Sequence, residues 1–302
     1  MFHHFHDEKK NRKSEGSIDK KKFKQIIKNF RNEIINPNEF KEIILEKKKI
    51  KKRKICLTFD DGIAAQADVA AEVLDDLNLK AFFFVNSHQF EKKAGMLECC
   101  RYFRNNYFKN IEEFNKFFLQ KLDFFYPQKN LKKFLDLNKN KIKKMKKMFS
   151  FYSNKDIQFR IVRDYLLNND EYILLLTKLF KLKKFNFKQI NFDLFLNKKN
   201  LRELSNNGHE IGLHSHSHPI PITKLSRKNI HYEYFTNKKI LEKITNIKIN
   251  SVSYPNGYTN IDCEKILNKI GINFGFANNY KEIAKLKFDQ MYIPRIDHTE
   301  LI

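Results

Sequence analysis

The sequence predicts an α/β protein, a parallel barrel or open sheet interrupted by a block of helix. Three observations lead there. Short apolar runs of strand length, "ICLTF", "KAFFFV" and "INSVSYP", alternate with helical patterns. The first two runs enclose the Ala- and Leu-rich "AAQADVAAEVLDDLN", so strand, helix and strand fit within about thirty residues, the span of a βαβ unit with parallel strands. From residue 96 to about 190 there is no Gly and a single Pro, Pro127, and the spacing of Phe, Leu and Lys is helical.

Taken in order, "SIDKKKFKQIIKNF" places Ile18, Phe23, Ile26, Ile27 and Phe30 on one helical face, with Ser17 as the expected N-cap. The basic run "EKKKIKKRK" leads into the first strand and reads as a solvated connection. The helix Ala64 to Asn78 and the strand Lys80 to Val85 complete the βαβ unit. "NIEEFNKFFLQKLDFFY" and "DEYILLLTKLFKLKKF" are amphipathic helices of the block at 96–190, read as an α-helical insertion in a single domain spanning 1–302. The α/β pattern then resumes. A helix and a turn at Gly208 precede a strand from Glu210 to His214, and a long helix follows with Ser226 as its expected N-cap. "INSVSYP" is a strand, "DCEKILNKIGINFGFANN" a helix, a stop at Gly271 and a strand, and "MYIPRID" the last strand.

Composition limits the partners. Lys+Arg exceed Asp+Glu by 59 to 35, a net charge of +24. Such a chain attracts polyanions, but its lysines are spread along the whole length, and the dominance of Lys, Asn, Ile and Phe is what AT-rich codons supply. No specific nucleic-acid partner is expected; peripheral contact with a membrane remains open. No apolar run reaches membrane-spanning length, and "MFHHFHDEKK" lacks the apolar stretch of a secretory signal. The four cysteines, Cys56, Cys99, Cys100 and Cys263, form no C-x-x-C pair, so reduced thiols in a cytoplasmic protein are expected. With only 8 Gly, no phosphate-cradling loop and no G-x-S-x-G appear.

Chemistry concentrates at two strand ends. "TFDDG" places two carboxylates, Asp60 and Asp61, side by side where one would be easier to hold. "HEIGLHSHSHPIP" places His214 and His218 four apart; Pro219 and Pro221 end the strand, and a turn there can bring both rings to one ion while His216 points elsewhere. Ligands in α/β proteins sit at the carboxyl ends of strands, so the two motifs converge on one face. Two His and one Asp leave a coordination position open for water, the catalytic pattern rather than the structural one. The second Asp is then free to accept a proton.

"TFDDG", "HSHSHP" and "SYPNG", in this order and each at a strand end, resemble the first three motifs of the polysaccharide deacetylases, the NodB-homology domain of carbohydrate esterase family four. The resemblance covers about residues 54 to 90 and 196 to 297, and the start of the chain is similar to a His-containing segment of some members. It implies a distorted (β/α) barrel and a metal-dependent hydrolase that removes an N-acetyl or related acyl group from a sugar or glycan. It also implies Asp61, His214 and His218 as ligands of a divalent ion, expected to be zinc, Asp60 as general base, and the Asn256 N–H as an oxyanion donor. The family's third-motif arginine is here Ser253, and Arg295 in "YIPRID" is a candidate substitute. The catalytic acid is open between His298, an N-terminal histidine with His3 the best match, or neither; a frayed C-terminal residue is the plain alternative for His298. His88, His216 and His231 read as structural or surface, and Cys56 and Cys263 as small core residues. The expected substrate is a nucleotide-sugar or lipid-linked glycan of surface-polysaccharide assembly. The alternatives are a carbohydrate-binding protein of the same fold without turnover and a basic nucleic-acid-binding protein.

Overall fold

A computed structural model of the chain describes residues 1–14, 16–46, 51–91, 95–148, 152–186, 193–219, 221–278 and 289–301. Part of the basic run, residues 47–50, and the end of the expected insertion, residues 187–190, lie outside the described residues. The chain forms two compact units, Met1–Gly95 with Asn191–Ile302, and Met96–Ile190.

The first unit is built on five parallel strands, β1 (Thr58–Phe59), β2 (Phe82–Val85), β3 (Glu210–Leu213), β4 (Ser251–Ser253) and β5 (Phe274–Phe276), hydrogen-bonded in sequence order. Among the described residues the order never reverses, so they show no switch point of the doubly wound kind. The sheet curls as part of a (β/α) barrel, the distorted barrel expected. Single parallel bridges extend both edges, Phe2 to Phe59 and Ile293 to Phe276.

Several boundaries differ from expectation. "ICLTF" is regular only at Thr58–Phe59, with Ile55 bridged to Ile34. "MYIPRID" contributes one bridge rather than a strand: Ile293 N–H donates to the Gly275 carbonyl and its carbonyl accepts from Ala277 N–H, but the next acceptor, the Ala277 carbonyl, is taken by the Arg295 side chain. β3 stops at Leu213, before His214, and Ser215 turns the chain at a φ of 62°.

Successive side chains of β2 point to opposite faces. Phe83 and Val85 join Phe59, Ile211, Leu213 and Val252 in the larger core. Phe82 and Phe84 join Phe274, Phe276 and Ile293 on the other face, closed by Phe40 and Ile44 of α2 (Pro37–Leu45). Each fully buried Phe contributes on the order of 2–3 kcal/mol. Gly212 of β3 is required here, since a Cβ would sit 2.4 Å from the Phe84 ring.

The helices start where polar side chains catch their free N–H groups. α1 (Lys20–Phe30) is capped by Asp19, whose Oδ1 accepts from Lys22 N–H at 2.6 Å; Ser17, the expected cap, instead bonds Ser14 and His6. The helix after β1 contains a π turn at Gln66–Ala71 before α3 (Glu72–Asp76). The second unit holds α4 (Met96–Asn106), α5 (Ile111–Phe125), α6 (Leu131–Leu137), α7 (Lys139–Met148), α8 (Asn154–Ile161) and α9 (Asn169–Leu182). Its interior is aromatic, with Phe103, Phe114, Phe118, Phe159 and Phe180 buried. The first unit resumes with α10 (Lys198–Asn206), α11 (Arg227–Thr245), capped as expected by Ser226, and α12 (Ile261–Lys269).

Candidate active site

The carboxyl ends of the strands gather the polar residues. Asp60 and Asp61 follow β1, His214 follows β3, and Tyr254 to Gly257 follow β4. Asp61, Ser215, His218 and Asn256 all adopt left-handed φ, between 53° and 76°. Such conformations cost energy in non-glycine residues and gather where the surrounding structure holds side chains for use.

Asp61, His214 and His218 each offer a ligand atom, and these atoms lie within 4.8 Å of one another. Asp61 Oδ1 is 3.3 Å from His214 Nε2 and 3.6 Å from His218 Nε2. Two ligands about 2.1 Å from one tetrahedral ion lie about 3.4 Å apart, so the trio fits a shared divalent cation. The donor set fits too. His214 Nδ1 lies 2.8 Å from the Ser253 carbonyl; a carbonyl only accepts, so Nδ1 carries the proton and Nε2 of the neutral ring is a lone-pair donor.

The backbone around His214 is clamped. Its N–H donates to Asn237 Oδ1 at 3.0 Å, Asn237 Nδ2 donates to the Val85 carbonyl at 3.0 Å, and Asn86 Nδ2 donates to the His214 carbonyl at 2.6 Å. One turn earlier on α11, Glu233 accepts from the N–H and hydroxyl of Ser217, which holds the loop carrying His218. His216 points elsewhere, with Nδ1 2.9 Å from Ser87 Oγ and Nε2 3.5 Å from Glu91.

Asp60 lives in a different neighbourhood. Arg295 forks onto it, Nη1 to Oδ1 at 2.8 Å and Nη2 to Oδ2 at 2.7 Å, and Ser253 Oγ donates to Oδ2 at 2.9 Å. Arg295 is held in turn by Asn278 Oδ1 at 2.7 Å and the Ala277 carbonyl at 3.2 Å. Gln66, in the π turn, donates to the backbone carbonyls of Asp60 and His3. Burial alone would raise the Asp60 carboxyl; the Arg295 guanidinium outweighs it and holds Asp60 well below the usual range. Asp61 is also held low, by the two imidazoles against the same burial. His214 and His218 part company. Burial pulls both down, but Asp60 and Asp61 together raise His214, while burial and the neighbouring His214 leave His218 lowered.

The remaining candidates separate as well. His298 is not frayed. Its ring is buried and stacked on Phe2, with centroids 5.3 Å apart, and Nε2 donates to the Gly16 carbonyl at 3.0 Å. Of the two acid candidates, His3 lies near Asp60, with Nε2 3.9 Å from Asp60 Oδ2 and Nδ1 3.6 Å from Asp297 Oδ2. Asn256 lies in the exposed turn after β4. His88 is buried against the His216 carbonyl, and His231 stacks on Phe235. Asn237, Glu233, Gln66 and Asn278 escape a sequence reading, because their spacing from the motifs carries no signal; only the fold brings them there.

A sequence model described as polysaccharide deacetylase matches residues 47–113 and 168–275, more than half of the chain. The chain belongs to the polysaccharide deacetylase family. The stretch this family match leaves out, 114–167, is shorter than the insertion expected at 96–190, and the match also leaves out the segment carrying Arg295. No curated protein matches the chain. Among solved structures, it is similar to the Streptococcus pyogenes deacetylase PplD in complex with acetate, at 14% identity over 98% of this chain and 89% of that one, with a TM-score of 0.55. It is similar to IcaB from Ammonifex degensii, at 12% identity over 97% and 88%, TM-score 0.55. A de-N-acetylase from Aggregatibacter actinomycetemcomitans matches at 12% identity over 98% and 92%, TM-score 0.57. At such identities the likeness is one of fold.

Proposed function

We propose that this deacetylase-family protein is a metal-dependent hydrolase that removes an N-acetyl or related acyl group from a sugar or glycan intermediate. The observation that carries the reading is the division of two adjacent carboxylates. Asp61 faces two imidazole nitrogens in a divalent-cation geometry, while Asp60 is held apart by Arg295. In the proposed reaction, Asp61, His214 and His218 hold the ion, with zinc the expected choice. When bound, the ion polarises the acyl carbonyl and makes water at the site more acidic. Asp60 accepts the proton of the attacking water as its oxygen bonds to the carbonyl carbon. The Asn256 N–H steadies the resulting oxyanion. His3 takes the role of acid and protonates the amine nitrogen as the C–N bond breaks, which releases the carboxylate and a free amine. His3 is preferred to His298 because it alone of the two lies beside Asp60.

The substrate proposed is a nucleotide-sugar or lipid-linked glycan of surface-polysaccharide assembly. A cytoplasmic, reducing setting is supported by four unpaired cysteines. The alternative of a binding protein without turnover is motivated by Ser253 at an arginine's place; with Arg295 on Asp60, no observation favours it.

The test is a metal analysis of the purified protein together with acetate release from N-acetylated sugars, oligosaccharides and nucleotide-sugars. Wild type is expected to hold a divalent ion and to release acetate. Asp60→Asn is expected to keep the ion and lose about 10³-fold or more in rate. Metal without release from any substrate would favour the binding reading, and a wild-type protein that takes up no divalent ion would end the proposal.

A further inference from the structure

The unit of residues 96–190 carries a surface that its core does not explain. Helices α4, α5, α8 and α9 supply that core, whereas no described residue of α6 or α7 is buried. The two helices read "LKKFLDL" and "KNKIKKMKKM", eight lysines against one acid, Asp136. Lys139 pairs with Asp136, Lys141 lies over the Tyr165 ring, and Lys146 donates to the Tyr152 carbonyl. Lys132, Lys133, Lys143, Lys144 and Lys147 have no ion-pair partner among the described residues.

Apolar groups stand exposed in the same stretch of chain. Leu137, the last residue of α6, is 76% exposed. Phe124, in the last turn of α5, is 73% exposed and packs edge-on against Phe125. Lys121 lies over Phe124, and Lys178 lies over Phe125 and Tyr126. Lys133 and Leu137 lie four apart on α6 and so share a face, which sets an unpaired lysine beside a protruding leucine in a stretch rich in both kinds of group. A lipid interface suits both parts, because the apolar tips enter the acyl boundary while the ammonium groups reach anionic headgroups along their alkyl stems. A nucleic-acid backbone would use the lysines and leave Leu137 without a role. Helices of 7 and 10 residues can lie on a bilayer but not cross it.

We infer that α6, α7 and the adjoining end of α5 dock this protein on an anionic lipid bilayer surface. The inference is independent of the deacetylase chemistry. Another lysine-rich helix, α1, serves as the contrast: its far face is buried through Phe23, Ile26 and Ile27, and Lys20 and Lys24 pair with Glu72 and Asp76.

The experiment is co-sedimentation of the full chain with vesicles of phosphatidylcholine alone or mixed with phosphatidylglycerol. Binding about tenfold or more tighter to the mixed vesicles is expected, weakening with salt. Lys143→Glu with Lys144→Glu should abolish most of that gain; Lys21→Glu with Lys28→Glu, an equal charge change on α1, should leave it. Leu137→Ser should weaken binding several-fold, with circular dichroism and the melting temperature unchanged in all variants. No preference for anionic vesicles, equal loss from both lysine pairs, or no effect of Leu137→Ser would overturn the inference. So would displacement of the vesicles by a single-stranded oligonucleotide at a lower concentration than soluble phosphatidylglycerol micelles require.

Discussion

Strand β3 carries a buried histidine just beyond each end, and the two behave oppositely. His209, before the strand, is pushed down to about 4 by burial, with Asp75 only partly offsetting it. Its Nδ1 accepts from the Ala81 N–H at 3.3 Å, which ties β3 to β2. His214, after the strand, is raised, because Asp60 and Asp61 outweigh the same burial. The residue type and the burial are alike; what differs is which end of a parallel sheet the ring occupies. In this fold the carboxyl ends present loops that converge on a site, and the amino ends fasten the sheet. The lesson is that a titratable residue takes its role from the charges the topology assembles around it.

The comparison can be broken most directly at the carboxyl end. His214→Ala and Asp61→Asn are each expected to abolish divalent-ion binding and to cut acetate release by about 10³-fold or more, while His209→Gln leaves both in place. Metal content and initial rates measured on the three variants decide it. If His209→Gln lost the ion, the two ends would not be functionally distinct.

Next comes the arm that holds Asp60. Arg295→Ala leaves a buried carboxylate without its fork and should cost about 3–5 kcal/mol of stability, with a rate loss of about 10²-fold. Arg295→Lys keeps the charge but not the two parallel bonds, and should fall between. Denaturant melts and kcat together test this; an unchanged kcat in Arg295→Ala would remove Arg295 from the positioning of Asp60.

The third test separates the two terminal histidines. His3→Gln should lower kcat by about 10²-fold while metal content and melting temperature stay unchanged. His298→Gln should lower the melting temperature and leave kcat within a few-fold. The opposite pattern would return the acid role to His298.

The last test lies at the amino end, has the smallest effect on catalysis, and follows from protons alone. Unfolded His209 protonates near its ordinary 6.5, whereas in the fold it stays neutral down to about 4. Between those pH values the unfolded state binds more protons, so stability falls as pH drops through the window, by about 1.4 kcal/mol per pH unit at most for one histidine. His88, also lowered to about 4 by burial, adds to the same slope. Equilibrium melts across this window should show the slope in wild type and a shallower one in His209→Gln.

The sequence by itself determined the chemistry-bearing motifs and the class of fold. Apolar runs of strand length mark buried parallel strands because both faces of the sheet are covered, and polar residues directly after such runs fall at one edge because parallel strands all end there. That is why Asp60, Asp61, His214 and His218 were legible as a group, and Arg295 as a candidate partner. Only the tertiary structure decided what the distances between motifs conceal. It set Arg295 on Asp60 across 235 residues, made Ser253 a donor to the same carboxylate, brought Asn237 to the His214 N–H, and gave the place beside Asp60 to His3 rather than His298. The reason is physical: periodicity reports which face of its own element a residue takes, while its partners depend on how the elements curl around a shared core, and no local pattern encodes that curl.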